Sequence, residues 1–536
     1  MVDETSKRID GKTPNDEGML LNAEQRAAVE YVAGPQVIVA GPGSGKTRVI
    51  ISKIEHLVSQ LHIEPARILA ITFSTKAADE MADRLAEVFP YRVHEFNIHT
   101  FHALCWNIVQ EFAAEAGFRQ GVQVLDKTAA WVLVRRHIEE FGLRHYLPNS
   151  DPFKYIFDLL GHVSRAKDEG VAPQDYEVYV RKHREQHEVT KESLTPEEAT
   201  EQLIEVEKHE ELARFYTRYQ EILLTENCID FGDQIIMAFR LLSGHPDVRK
   251  QVQSRWDYIL VDEFQDTNIV QIELLKQLSR SDAAVCVVGD PDQSIYRFRG
   301  ASFASFLRFD EAYPTRQPFA LTRNYRSTKN ILNTAGWLIA NNVDRYRAEK
   351  PVWTESENGV PVTVLKAPSF PAEAEAVADE IVSVLSQTQE SERRFADFAI
   401  LYRAHGHREE FVAALERRQI PYKVVSGAGF FKKEEIRDTC ALVKCAAGRE
   451  DGVSRHRALS LADWSIPPSD LRTLCRWMSD EKLDLSGALS RIDECVDIEQ
   501  ESGERMRKAL DYLVGLKALA QEKTASEVCR SILETT

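Results

Sequence analysis

The feature that most constrains this chain is the segment AGPGSGKT at residues 40–47. It follows QVIVA, a short apolar run typical of a buried parallel strand, and it precedes a helical pattern. Its glycines allow backbone N–H groups to curl around phosphate oxygens, and the next helix N-terminus adds a favourable dipole. The segment fits a phosphate loop with alanine in place of the first glycine. The residues expected to bind phosphate are Ala40, Gly41, Gly43, Ser44, Gly45, Lys46 and Thr47.

A second polar segment, VDEFQD at residues 261–266, follows the apolar run YILV. In a phosphate-loop protein, Lys46 would place its charge on the β and γ phosphates, and Thr47 would offer its hydroxyl to Mg²⁺. Asp262 could hold the same ion, directly or through water. Glu263 could orient or deprotonate a water that attacks the γ phosphate. The alternative is that the two carboxylates only cap the next helix.

Further apolar runs alternate with helical patterns and predict an α/β domain with a parallel sheet. They are ILAITF (68–73) and AAVCVVG (283–289), with VTVLKA (362–367) and FAILYRA (398–404) expected as later strands. Residues 104–250 look mostly helical and separate Lys46 from Asp262, so they are expected to form an inserted domain. The pattern is helical again from about residue 427.

Composition excludes several classes of protein. The chain has 84 acidic and 67 basic residues, a formal charge of −17, so it is not basic overall. Nucleic-acid binding stays possible because local patches decide it. The eight cysteines form no CxxC pair, which argues against a zinc site or a disulfide framework and fits a reducing cytoplasm. No apolar run approaches the ~18 residues of a membrane span.

The segment GDPDQSIYRFRGA at residues 289–301 joins two kinds of chemistry. Its first half is acidic and ends in Gln293, which suits a metal or a phosphate. Its second half alternates aromatic and cationic side chains, which suits the bases and backbone of a nucleic acid. The alternative for Tyr296 and Phe298 is ordinary core packing.

Taken in order, these segments resemble superfamily 1 helicases of the UvrD/Rep/PcrA type over about residues 20–440. Besides the segments above, the resemblance rests on LNAEQRAAV (21–29), TFSTKAADEM (72–81), HTFHAL (99–104), DFGDQI (230–235), VDEFQDTN (261–268), LTRNYRS (321–327), NNVDRYRAEK (341–350), AILYRA (399–404) and GFFKKEEIRD (429–438). It implies a P-loop NTPase with RecA-like parallel-sheet domains and mostly helical inserted domains. The implied activity is ATP-dependent, Mg²⁺-dependent DNA unwinding on single strands and single-strand/duplex junctions, in the 3′ to 5′ direction.

The resemblance also implies a role for individual residues. Gln25 would read adenine and Arg48 would lie near the nucleotide. Tyr325 would stack on adenine, Gln293 would sense the γ phosphate, and Arg326 would reach it from the second RecA-like domain. The single strand would lie along Phe73, His102, Tyr296, Phe298 and Arg299. Phe298 stands where many members have tryptophan, and either ring can stack on a base.

Expected domain boundaries follow from the patterns and the resemblance together. They are a disordered N-terminus (1–17), a first RecA-like domain in two parts (18–103 and 251–315), a helical inserted domain (104–250), the first half of a second RecA-like domain (316–426) and an incomplete second helical insertion (427–536). Each boundary is where one separately packed part of the chain is expected to end and the next to begin.

The later motifs of the family are expected after a second insertion, and residues 427–536 contain nothing resembling them. The chain could be a fragment, a split protein completed by a second polypeptide, or a truncated inactive relative. By itself it is expected to bind nucleotide but hydrolyse it weakly, because the missing segments would supply a second arginine for the γ phosphate. Two other readings stay open: the motor part of a RecB/AddA/AdnB-type helicase–nuclease, and a non-catalytic DNA-binding relative.

Overall fold

A computed structural model gives the fold of most of the chain. It describes residues 21–119, 121–148, 152–280, 283–295, 304–342, 345–346, 352–387, 393–425, 434–448, 452–461, 464–481, 483–495 and 500–535. The chain divides into two compact units, unit one ending at Thr363 and unit two beginning at Val364. None of the described helices is both long and apolar enough to span a membrane.

Unit one is built on a parallel sheet whose described strands lie in the order β3-β2-β6-β7-β1-β8. A separate parallel pair is formed by β4 and β5. The strands are β1 Gln36–Ala40, β2 Ile68–Thr72, β3 Asn97–Thr100, β4 Gln123–Leu125, β5 Cys228–Asp230, β6 Tyr258–Val261, β7 Ala284–Gly289 and β8 Gln317–Leu321. Four of the runs predicted as strands, at 36–40, 68–73, 258–261 and 283–289, are thus strands of one sheet.

Helices cover both faces of this sheet, as expected for strands that are apolar throughout. Their bounds are α1 Ala23–Glu30, α2 Lys46–Ser59, α3 Thr75–Val88, α4 Phe101–Glu111, α5 Lys127–Arg136, α6 Ile156–Asp168, α7 Pro173–Thr190, α8 Pro196–Thr225, α9 Asp233–Gly244, α10 Pro246–Gln253, α11 Ile269–Leu278, α12 Ala304–Ala312 and α13 Lys329–Ile339. Successive residues of a strand pack on opposite faces of the sheet: Val37 belongs to one apolar cluster and Ile38 to the other.

Part of the expected insertion packs on the sheet instead of apart from it. Helices α4 and α9 share the apolar cluster of the strands, to which they contribute Leu104 and Leu241 among others. A distinct cluster forms only from the segment between them, where Phe141, Phe215 and Tyr219 are buried. The separately packed helices, α5–α8, therefore occupy a narrower range than 104–250. At the other end, β8 extends the first sheet beyond residue 315, where the first RecA-like domain was expected to stop.

The regular secondary structure in the described part of unit two is helical. Its helices are Phe370–Ser386, Arg408–Arg417, Glu434–Ala446, Gly452–Leu459, Pro468–Asp480, Leu485–Arg491, Gln500–Glu522 and Ala525–Thr535. Met506, Leu510 and Leu513 lie on one face of the longest helix and are fully buried in the main apolar cluster of this unit. The helical pattern predicted after residue 427 is therefore present in the described residues.

The two later runs predicted as strands, 362–367 and 398–404, are not strands in the described part of the chain. A strand needs a neighbour that accepts its ladder of hydrogen bonds, and among the described residues neither run has one. Val364 and Leu401 are accordingly 79% and 93% exposed, whereas Phe398, Ile400 and Tyr402 pack partly against the apolar cluster around Phe411. The expectation of strands here was wrong for the described structure, because alternation in sequence does not supply a partner.

Candidate functional site

The predicted phosphate-binding and catalytic residues meet at the carboxyl edge of the sheet in unit one. Lys46 follows β1, Glu263 follows β6, Gln293 follows β7 and Arg326 follows β8. Because the strands are parallel, their carboxyl ends share one edge, where α/β proteins usually bind ligands. A cavity of about 240 Å³ lies there, lined by Pro42, Gly43, Gly45, Lys46, Thr47, Arg48, Arg84, Glu263, Gln293 and Arg326. A larger but shallower hollow of about 340 Å³ between α1 and α2 contains none of the predicted catalytic residues.

The phosphate loop has the backbone that its glycines permit. Gly43 and Gly45 have φ values of 65° and 89°, a region that side chains with a Cβ rarely adopt. Ser44 is buried and donates a hydrogen bond of 2.7 Å to the carbonyl of Gly41. Gly45 is the N-cap of α2, and no described side chain caps this helix end. The first N–H groups of α2 are therefore directed toward the cavity side of the loop and can bind an anion.

Glu263 of the acidic pair lines the cavity together with Lys46. Glu263 Oε2 lies 3.6 Å from Lys46 Nζ, and Glu263 adopts a left-handed backbone conformation with φ of 48°. Asp262 is 8% exposed, and its Oδ1 accepts a 2.9 Å hydrogen bond from the N–H of Glu263. Burial, with Glu263 adding a like charge, raises the pKa of Asp262 to about 6. A bound cation would offset both the burial of the Asp262 charge and its repulsion by Glu263. The Thr47 hydroxyl and the Asp262 carboxylate are a donor set that suits Mg²⁺.

A chain of hydrogen bonds joins Glu263 to Gln293. Gln265 Nε2 donates to Glu263 Oε2 at 2.6 Å, and Gln265 Oε1 accepts from the N–H of Asp290 at 2.8 Å. Asp290 Oδ2 in turn accepts from Gln293 Nε2 at 2.6 Å. Gly289 makes room for this path, since a Cβ there would lie 2.3 Å from Gln265 Oε1. A change at either end of the chain of bonds can therefore reach the other.

The turn that carries Arg326 is fastened to the phosphate loop. Asn324 is 2% exposed; its Nδ2 donates to the carbonyl of Pro42, and its Oδ1 accepts from the N–H groups of Arg326 and Ser327 at 2.8 and 2.7 Å. The N–H of Tyr325 donates to the carbonyl of Gly43 at 2.9 Å. These bonds place Arg326 on the rim of the same cavity as Lys46.

Two residues expected to contact adenine are held by other partners. Gln25 is 1% exposed; its Nε2 donates to the carbonyl of Ser44 at 2.9 Å, and its Oε1 accepts from the N–H of Asn22 at 3.1 Å. Tyr325 is 46% exposed, and its hydroxyl accepts from Asn22 Nδ2 at 2.8 Å. Both side chains thus lie beside the loop: Gln25 braces it, and the Arg323 guanidinium lies over the Tyr325 ring, 4.8 Å from its centroid.

Aromatic side chains form a second group after β2 and β3, near the edge of the sheet opposite β8. Phe73 follows β2 and His102 begins α4 after β3, and these two strands are neighbours at the sheet edge. The His102 ring stacks on Phe231, with centroids 4.0 Å apart and planes 22° apart. Phe231 is 59% exposed. The remaining residues expected on this path, Tyr296, Phe298 and Arg299, lie outside the described residues.

The structure adds residues for which no role was predicted from the sequence. Gln265, Asn324 and Phe231 lie inside recognised segments, VDEFQDTN, LTRNYRS and DFGDQI, so the segments themselves were the available signal. Arg84 lies on α3 just outside TFSTKAADEM and reaches the cavity only because α3 packs beside the loop. No motif could have pointed to it.

Comparison with known proteins gives matches over nearly the whole chain. The family model described as "UvrD/REP helicase N-terminal domain" matches residues 21–314, and the "UvrD-like helicase C-terminal domain" matches residues 319–500. Similar curated proteins include the ATP-dependent DNA helicase PcrA of Bacillus subtilis (strain 168), 30% identical over 517 residues, which are 96% of this chain and 65% of the relative. The protein of the same name from Leuconostoc citreum is 33% identical over 444 residues, 82% of this chain and 54% of the relative.

A third relative, PcrA of Staphylococcus epidermidis (strain ATCC 35984), is 31% identical over 475 residues, 88% of this chain and 60% of the relative. The chain therefore spans between about half and two thirds of the length of these relatives.

Proposed function

This chain belongs to the UvrD/REP helicase family, and from that premise we propose that it is the motor portion of an ATP-dependent DNA helicase that moves 3′ to 5′ along single-stranded DNA and opens single-strand/duplex junctions. The observation that carries the proposal is the cavity in which Lys46, Glu263, Gln293 and Arg326 meet. Lys46 comes from the phosphate loop and Arg326 from a turn that is distant in sequence. Together they bring two positive charges to one small cavity, which suits a triphosphate. An acidic side chain between them suits hydrolysis.

The residues that line the cavity have different roles in binding and hydrolysing ATP. The N–H groups of residues 43–47 and the Lys46 ammonium hold the phosphates. Glu263, 3.6 Å from Lys46, orients or deprotonates the attacking water. Arg326 balances the charge that develops on the γ phosphate. Gln25 reads adenine in the family pattern; here it also braces the loop through Ser44.

Mg²⁺ would be held by Thr47 and by Asp262, which lies at the carboxyl end of β6. The ion, when bound, would neutralise charge on the β and γ phosphates. Two protein ligands are enough, because Mg²⁺ usually keeps several waters and takes phosphate oxygens for the rest. Among the described residues, accordingly, no larger group of acidic, histidine or cysteine side chains is arranged around a common metal position.

The single strand would lie along Phe73, His102 and Phe231, and along Tyr296, Phe298 and Arg299. Stacking of a base on such a ring is worth about 1–3 kcal/mol, and contacts to phosphates add an affinity that falls with salt. The bonds from Glu263 through Gln265 and Asp290 to Gln293 end three residues before Tyr296. ATP hydrolysis beside Glu263 can thus change the binding of DNA by the residues that follow Gln293.

We further propose that additional polypeptide, on this chain or on a second one, completes the motor in the reducing cytoplasm. The support is that neither run, 362–367 or 398–404, has a neighbouring strand among the described residues, which leaves Val364 and Leu401 exposed. The described part of the chain, which includes all eight cysteines, contains no disulfide, and this fits a reducing compartment. Hydrogen exchange would test the first point: both runs should be unprotected in the 536-residue chain and protected in the complete protein. Equal exchange in the two would contradict it.

The deciding experiment compares Lys46→Ala with Lys250→Ala in the complete protein. Lys250 is an exposed lysine of α10, outside the cavity, and serves as the matched control. DNA-stimulated ATP hydrolysis is measured as phosphate release. We expect Lys46→Ala to lose at least 100-fold, because the lysine stabilises charge on the transferring phosphoryl group. Lys250→Ala should match the parent protein.

Two results would overturn the proposed function. One is hydrolysis that does not respond to single-stranded DNA in the parent protein. The other is a Lys46→Ala variant as active as the Lys250→Ala control.

A further inference from the structure

Lys167 is a fully buried lysine in the last turn of α6, a helix of the separately packed segment α5–α8. Its Nζ lies 2.7 Å from Asp230 Oδ2 and 2.7 Å from Asp233 Oδ1. The ammonium also sits over the ring of Tyr219, 5.4 Å from its centroid. A lysine is rarely buried without such partners, and removing one member of the cluster would leave an uncompensated charge.

The two carboxylates hold a tight turn between β5 and α9. Asp230 Oδ1 accepts from the N–H of Asp233 at 3.0 Å, and Asp233 Oδ2 accepts from the N–H of Asp230 at 3.0 Å. Each carboxylate therefore gives one oxygen to the turn and the other to Lys167. Gly232 fits inside this arrangement; a Cβ there would lie 3.1 Å from Lys167 Cδ.

Phe231 is the residue that this turn presents. Its neighbours Asp230 and Asp233 are buried or nearly so, whereas the Phe231 ring is 59% exposed and stacks on His102. Directing a large apolar ring into solvent costs free energy, so the turn must be held rigidly to keep it there. Lys167 supplies that restraint from a different part of the chain.

The same end of α6 also reaches the segment that carries Glu263. Asp168 Oδ1 accepts a 3.0 Å hydrogen bond from Asn268 Nδ2. Asn268 is the N-cap of α11 and ends the segment VDEFQDTN. Adjacent residues of α6 thus contact both the turn with Phe231 and the segment with Glu263.

We propose that Lys167 is a positioning residue for single-strand binding: from α6 it clamps the Asp230–Asp233 turn and so holds the Phe231 ring on the path of the DNA. This inference rests on the proposed function, in which the Phe231 and His102 rings lie along that path. Lys167 itself does not touch DNA; it acts through Phe231.

The test is a double-mutant cycle on the 536-residue chain, read out as the dissociation constant for an oligothymidylate that contains one 2-aminopurine. Phe231→Ala should weaken binding about 5- to 150-fold, the contribution of one stacked base. Lys167→Met should weaken it by at least about 5-fold and reduce the change in 2-aminopurine emission that reports stacking. In the Phe231→Ala background Lys167→Met should have no further effect, since the two residues act as one unit.

Controls separate positioning from general damage. Lys208→Met removes a half-buried lysine paired with Glu205 on α8 and should leave binding unchanged. Affinity for a fluorescent ATP analogue should be the same in every variant. If Lys167→Met does not fold, Lys167→Met/Asp233→Asn replaces it, because this pair of changes removes the clamp without altering the net charge of the cluster.

The outcomes are distinguishable. If Phe231→Ala leaves oligonucleotide affinity unchanged, the proposed strand path is wrong. If Phe231→Ala weakens binding but Lys167→Met does not, or if the two effects multiply, Lys167 does not act through Phe231 and the inference is overturned.

Discussion

Gly43 shows how narrowly one position of the phosphate loop is constrained. Its φ of 65° disfavours any residue with a Cβ. A Cβ there would also lie 2.6 Å from Arg326 Cβ and 2.8 Å from Asn324 Nδ2. The same glycine thus permits both the curl of the loop and the approach of the turn that carries Arg326.

Gly43→Ala is therefore expected to weaken ATP binding about 10-fold or more, since backbone strain of this kind costs roughly 1–3 kcal/mol and displacement of Arg326 adds to it. Binding of a fluorescent ATP analogue to the 536-residue chain measures the effect. Gly244→Ala is the matched control, because a Cβ at Gly244 meets open space. Equal affinities in the two variants would contradict the argument.

At this scale the sequence predicted the residues that belong to a motif and missed those that act through geometry. Lys46, Glu263 and Gln293 were expected at one site, and they line one cavity with Arg326; their catalytic roles stay predictions. Arg84 and Gln265 were missed. Their contribution depends on where α3 packs and on the space over Gly289, and neither can be read from the local sequence.

Helices α6, α7 and α8 share a half-buried polar cluster, and we expect it to make their packing sensitive to pH. His162 Nε2 lies 3.1 Å from the hydroxyl of Tyr176, which lies 2.8 Å from His209 Nδ1. Burial lowers the pKa of both histidines, with Arg165 acting on His162 and His183 on His209 in the same direction. Lys208 also lowers the pKa of His209, and Glu205 opposes it.

A histidine whose pKa is lowered on folding is protonated more readily in the unfolded chain. Its contribution to stability is complete above its ordinary pKa of 6.5 and is lost as the pH falls through that value. Amide exchange in α6–α8, corrected for intrinsic rates, should therefore accelerate between about pH 7.5 and about pH 5.5. His209→Gln should reduce the acceleration, whereas His62→Gln, at an exposed position, should not. Identical profiles for all three proteins would argue against the cluster as the cause.

Elements were predictable where a single strand or helix carries its own pattern. QVIVA and YILV are strands with the predicted bounds. A run that is apolar throughout is buried on both faces when it lies inside a sheet, so its own sequence was enough to predict the strand. VTVLKA is also rich in apolar residues, but it has no partner strand in the part of the chain that the structure describes, and Val364 is left exposed. The difference lies in tertiary context, which the run itself does not encode.

Units one and two have separate apolar cores, and this has a thermodynamic consequence. The clusters of the sheet lie entirely in unit one, and the cluster around Leu510 lies entirely in unit two. Calorimetry of the whole chain should therefore show two unfolding transitions. ATP with Mg²⁺ at about 100 times its dissociation constant should stabilise only the transition of unit one, by about 2.7 kcal/mol.

Leu510→Ala identifies the other transition. Leu510 is fully buried, so the truncation should lower the stability of unit two by about 2–5 kcal/mol and leave the ATP-sensitive transition in place. A single transition that shifts with both the mutation and the nucleotide would show that the two units unfold together.

The position of β1 also bears on how the molecule is made. This strand, Gln36–Ala40, is flanked by β7 and β8, which the ribosome reaches about 240 or more residues later. At roughly 5–20 residues per second, translation takes about 12–50 s to supply the first of these neighbours. Throughout that interval the nascent strand lacks both of its sheet neighbours, so its apolar side chains stay open to contact with other chains until β7 and β8 emerge.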